Sequence, residues 1–136
     1  MDTGAAAAEL AAAAYCNAGQ DCTAATRFLV HHRRYGAFVT AFAAAARTPR
    51  TGPPDDPAAD CGPLNSESQL ASLQGVLRRL PDHAEVVTGG TAPGGPGWFH
   101  SPTVVAGVLR QRSVPRGPVG LHPGQARHAV RTGRGT

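Results

Sequence analysis

Residues 5–16 form an apolar run of strong helix formers interrupted only by Glu9, and the run gives way at Asn17 and Gly19, both residues that favour helix ends. The pattern predicts a helix that delivers the backbone to Cys22. Arg27-Phe28-Leu29-Val30-His31 then reads as a short buried strand. After it, Tyr35, Phe38, Val39, Phe42 and Ala46 recur at helical spacing in a segment expected to end before Pro49. Residues 48–63 hold five Pro and several Asp, which predicts a surface connection without regular structure. At Ser66 and Gln69 the spacing fits a capping box, in which the hydroxyl and the amide satisfy orphan backbone amides; Leu70, Leu73, Leu77 and Leu80 then mark one apolar stripe, and Pro81 stops the helix. Residues 84–88 read as a strand closing on Gly89-Gly90. Residues 98–108 read as a second strand, at an edge or with a bulge because Pro102 interrupts it. Helices alternating with strands predict an α/β fold with parallel pairing. Beyond Leu109 the periodicity vanishes, and a composition of Gly, Pro, Arg and His predicts a disordered tail over residues 110–136.

Length and charge refine this picture. A chain of 136 residues suffices for one domain with a modest core, or for part of one. All 13 Lys+Arg residues are Arg and Ile is absent, which points to a GC-rich gene more than to a selected chemistry. The net charge of +4 resolves into 7 Arg against 9 acids before residue 110 and 6 Arg with no acid after it, so the basic character belongs to the tail. Cys16, Cys22 and Cys61 contain no Cys-x-x-Cys pair, and Asp2 and Glu9 stand where a signal peptide would be basic; a soluble protein in a reducing cytoplasm, with no metal site, is expected.

The run Tyr15-Cys16-Asn17-Ala18-Gly19-Gln20-Asp21-Cys22-Thr23 resembles the nucleophile motif of NAD(P)-dependent aldehyde dehydrogenases, and the Asp before the Cys is similar to the γ-aminobutyraldehyde and betaine-aldehyde branch. Three further landmarks follow in the family's order: Asp60-Cys61-Gly62-Pro63-Leu64, Val86-Val87-Thr88-Gly89-Gly90, and Gly97-Trp98-Phe99-His100-Ser101-Pro102-Thr103-Val104. The resemblance implies that residues 1–109 are part of a catalytic domain and that residues 110–136 are a disordered or frameshifted tail. It implies that Cys22 attacks an aldehyde carbonyl, that the thiohemiacetal yields hydride to NAD or NADP, and that water releases the acid. A helix start at Cys22 would favour the thiolate, and the Cys22 amide would serve the developing oxyanion. Gln69 aligns with a position that touches the cofactor in some members.

The resemblance also implies what is not in the chain. The family's general-base Glu, its oxyanion Asn and its phosphate-binding fold lie upstream of the nucleophile by more than the 21 residues that precede Cys22. Gly117-Pro118 lacks the acid that would hold the nicotinamide ribose. The chain is therefore expected to be inactive alone unless a complementing chain supplies the remainder. Cys16 and Cys61 are expected to be small buried hydrophobes. Two other functions fit parts of the sequence. His31 or His32 could pair with Cys22 as a hydrolase-like dyad, and the Arg-rich tail could meet nucleic acid through phosphates, although it lacks aromatic residues for stacking.

Overall fold

A computed structural model describes residues 2–108 and the backbone of His128–Gly133. Helix α1 spans Thr3–Tyr15, opened by the Asp2 carboxylate accepting from the Gly4 amide. Its buried residues Ala7, Ala11, Ala14 and Tyr15 recur at three and four, so one small-residue face lies against α2, His32–Ala46. Alanine lets two helices approach closely at no side-chain entropy cost.

Strand β1, Arg27–His31, feeds α2 directly. The sequence suggested a buried strand; instead Phe28 is buried, Val30 is half-buried against the core on the same face, and Leu29 between them is 78% exposed on the opposite face. Phe28 meets Phe42 at a ring-centroid separation of 4.7 Å, Phe42 stacks on Phe38 at 5.6 Å, and Tyr15 closes the group from α1 at 6.3 Å from Phe42. Burying Phe42 completely contributes roughly 1.5–3 kcal/mol.

Residues 48–63 form the expected irregular connection, with a single bridge between Thr51 and Cys61. Helix α3, Glu67–Arg78, begins where anticipated, with only the Ser66 half of the capping box formed: its hydroxyl accepts from the Gln69 amide at 3.3 Å. Of its apolar stripe, Leu73 is fully buried and Leu70, Leu77 and Leu80 are half-buried.

The sheet takes the order β1-β4-β3-β2, with β2 at Glu85–Thr88, β3 at Val104–Ala106 and β4 at His128–Gly133. β4 lies parallel to both β1 and β3. The expectation of disorder fails for these six residues, which pair with β1 from Ala129 to Gly133 and with β3 at His128 and Ala129, so that backbone pairing and not a side-chain pattern places them. The rest of the tail lies outside the described residues. Pairing is also not wholly parallel: β2 and β3 are antiparallel, because residues 89–103 carry no crossover helix and the chain simply turns back. β3 is shorter than the apolar run suggested and sits inside the sheet, starting after Pro102, which has no N–H for a ladder. The irregularity falls on β2, between Val86 and Thr88.

Gly89 explains how that turn closes. Its φ is +77°, and a Cβ there would lie 2.1 Å from the Pro102 carbonyl oxygen. The glycine serves backbone against backbone, and the adjacent Gly90 amide donates to the Thr103 hydroxyl at 2.9 Å. No helix among the described residues is long and apolar enough to cross a membrane.

Candidate active site

α1 ends at Tyr15, and the Cys16 amide donates back to the Ala12 carbonyl. The next turn, Cys16–Gly19, is left-handed for three successive residues, with φ of 50° at Asn17, 55° at Ala18 and 71° at Gly19. Among the described residues Asn17 and Ala18 are the non-glycine positions with positive φ. Each costs roughly 1 kcal/mol or more, with Asn the better tolerated, so neighbouring bonds must hold the turn.

Those bonds come from the other motif segments. The Gln20 side chain donates to the Pro63 carbonyl at 3.1 Å and accepts from the Asn65 amide at 2.9 Å, making a two-point clamp across more than 40 residues of sequence. The buried Tyr15 hydroxyl donates to the Thr103 carbonyl at 3.2 Å. Cys61 donates through sulfur to the Tyr15 carbonyl at 3.5 Å. Leu64 donates through its amide to the Trp98 carbonyl at 2.8 Å. Landmarks separated in sequence therefore converge on the base of one loop. No sequence signal other than their order pointed to Gln20 and Tyr15 as the residues that join them.

Cys22 stands exposed at the head of this loop. It does not open a helix, as the sequence suggested: the Ala24 amide closes a turn on the Asp21 carbonyl at 3.1 Å, and the chain extends into β1. The helix-end field invoked for Cys22 is absent, because the apolar residues that follow satisfy a strand and not a helix. Asp21 accepts from both the amide and the hydroxyl of Thr23 at 2.8 Å, and these bonds hold its carboxyl below the usual range. Its charge is thus engaged locally while remaining exposed.

Cys61 is buried as anticipated, and Cys16 is exposed, contrary to expectation, because α1 ends one residue before it and turns it out of the packed face. His31 and His32 make their described contacts with α2 and with each other, not with Cys22. Cys22 precedes β1 and the histidines lie at and beyond its far end, roughly 13 Å along a five-residue strand. His31 instead caps α2 through Nδ1, accepting from the Arg33 amide, and its ring lies against His32.

Below the loop, Tyr15, Ala18, Cys61, Leu64, Leu73 and His100 line a hollow that Cys22 does not enter. His100 Nδ1 bonds the Ser101 carbonyl at 2.9 Å, while buried Nε2 meets no partner among the described residues. Burial holds this histidine below its usual pKa, the Ser101 bond opposing in part. Gln69 is half-buried on the first turn of α3. The Gly89-Gly90 turn runs into a loop and not a helix, so it forms no phosphate cradle, and no strand–glycine turn–helix unit occurs among the described residues.

A loop that carries an exposed cysteine, clamped onto a mixed sheet by distant segments, defines the architecture of this α/β chain. The sequence profile described as the aldehyde dehydrogenase family matches residues 1–119, and the chain belongs to that family. It is 40% identical over 99 residues to the NADP(+) succinate-semialdehyde dehydrogenase of Mycobacterium leprae (strain TN), covering 72% of this chain and 22% of that protein. Succinate-semialdehyde dehydrogenase of Paenarthrobacter nicotinovorans is 39% identical over the same length, again covering 72% and 22%. Lactaldehyde dehydrogenase from Escherichia coli superposes with a TM-score of 0.78 at 25% identity, over 96% of this chain and 27% of that one. γ-Glutamyl-γ-aminobutyraldehyde dehydrogenase from Burkholderia cenocepacia J2315 gives 0.78 at 27% identity, over 99% and 27%. The chain thus spans about a fifth of the length of the curated relatives it matches.

Proposed function

We propose that the whole protein oxidises an aldehyde to a carboxylic acid, with Cys22 as the nucleophile that forms the thiohemiacetal and its own amide as one oxyanion donor. The observation that carries this reading is the Gln20 clamp on Pro63 and Asn65, which holds a strained loop so that Cys22 projects from it. Strain that surrounding bonds over-determine is characteristic of sites where position matters more than stability. NADP(+), carried in the names of the mycobacterial relatives, or NAD would be the hydride acceptor. The described residues do not form its phosphate cradle; of them, Gln69 would touch it. A complementing chain, or the remainder of a longer one, would supply the cradle and the general base.

Succinate semialdehyde is the substrate to test first, on the strength of the relatives. A cationic aldehyde such as γ-aminobutyraldehyde is the second reading, favoured by the exposed, charged Asp21 beside Cys22. The three free thiols suit a reducing cytoplasm.

Peptide-resolved alkylation with iodoacetamide provides the test, because exposed Cys16 is an internal control. Either aldehyde should slow labelling of Cys22 while leaving Cys16 unchanged, and the preferred aldehyde should do so at the lower concentration. Equal slowing of both thiols would reduce the effect to unspecific thiol chemistry and overturn the assignment of Cys22.

A further inference from the structure

Two of the three cysteines take no part in that chemistry, and the fold brings them together. The Cys61 sulfur lies 3.5 Å from the Tyr15 carbonyl oxygen, whose carbon is bonded to the nitrogen of Cys16. Standard peptide dimensions put the Cys16 Cα about 2.8 Å from that oxygen, so sulfur and Cα are at most about 6.3 Å apart. Both cysteines line one hollow with Tyr15, Ala45, Pro49 and Asp60. Their exposures are complementary: Cys16 is open to solvent, and Cys61 is only 4% exposed.

We propose that Cys16 and Cys61 form a reversible disulfide driven by hydrogen peroxide, fastening the end of α1 to the segment before α3. In the first step the exposed Cys16 thiolate attacks the peroxide: an S–O bond forms, the O–O bond breaks, and hydroxide leaves to become water. Sulfur is oxidised by two electrons to the sulfenic acid as the peroxide is reduced. In the second step Cys61 gives up its proton and attacks the Cys16 sulfur; the S–S bond forms, the S–O bond breaks, and a second water departs. Burial raises the Cys61 thiol pKa, with the Asp60 charge and Cys16 adding to the effect and the Ala18 amide opposing it. This makes Cys61 the responding partner and Cys16 the first to react. The bond would replace a weak S–H···O contact at the foot of the left-handed turn by a covalent one, in keeping with the transient, redox-sensing use of disulfides in reducing compartments.

The test is a cysteine-resolved peptide map of the full chain after limited hydrogen peroxide treatment, digested without reductant. The expected product is a Cys16–Cys61 cross-linked peptide that disappears on adding a thiol reductant, is absent from Cys16→Ser and persists in Cys22→Ser. Cys16 is exposed, so its serine variant should fold even if Cys61→Ser does not. Oxidation of Cys16 to sulfinic or sulfonic acid with Cys61 still a free thiol would overturn the proposal, as would a cross-link that requires Cys22.

Discussion

Tyr15 and His100 each place an ionisable ring in the hollow beside the loop that leads to Cys22, and their environments push them in opposite directions. Burial, with a contribution from Cys61, raises the Tyr15 phenol above its ordinary value of 10.0. On raising the pH the unfolded chain therefore loses its proton first: the stability Tyr15 contributes is complete below about pH 10 and declines above it. His100 is held below its ordinary 6.5. On lowering the pH the unfolded chain takes up the proton first, so that contribution is complete above about pH 6.5 and falls as the pH drops through the folded value. Urea titrations of the wild-type chain should show stability falling at both limits. Tyr15→Phe should blunt the alkaline loss while costing about 1 kcal/mol at neutral pH for the bond to Thr103. His100→Asn should blunt the acid loss. Unchanged pH slopes in the variants would show that neither ring titrates with folding. These two roles were not legible in the sequence. A Tyr at a helix end and a His in an aromatic run carry no sign of their burial until α1 and residues 98–103 are seen to converge.

At the scale of elements, local signals were sufficient where one element decides its own boundaries. Apolar spacing placed α2, and Ser66 placed the start of α3, because capping and amphipathicity act within a few residues. They failed where pairing decides. The helix expected at Cys22 became a turn into β1, and the structureless reading of His128–Gly133 gave way to a strand bonded on both sides. The β2–β3 return offers a sharp test of how much depends on one backbone contact. Gly89→Ala adds a Cβ at positive φ directly into the Pro102 carbonyl, and it should cost more than about 1 kcal/mol by denaturant titration. Gly94→Ala, in the same connection, meets nothing within 4 Å and has no positive φ. It should be neutral or stabilise by up to about 1 kcal/mol through the unfolded state. Similar effects from the two substitutions would mean that the turn does not hold β2 against residues 102–103 as described.

For the whole molecule, the proposed chemistry of Cys22 has to work with the groups this chain provides. Forming a thiohemiacetal asks for Cys22 and an oxyanion donor. Oxidising it asks in addition for a nicotinamide held against the substrate carbon, a proximity worth roughly 7–11 kcal/mol. Releasing the acid asks for a general base, worth about 10²–10⁴ in rate. The described residues present no strand–glycine turn–helix phosphate cradle. Among them β1 also keeps one edge unpaired, with Leu29 exposed beside it, so a further strand could join the sheet there. The expected outcome is that the purified chain yields no NADPH or NADH with succinate semialdehyde or γ-aminobutyraldehyde, even where aldehyde protects Cys22 from alkylation. Adding a chain that carries the upstream half of a family member should restore turnover if β1 accepts its missing neighbour, and Cys22→Ala should abolish it. Turnover by the chain alone that is lost in Cys22→Ala would overturn this expectation and show that residues beyond those described complete the site.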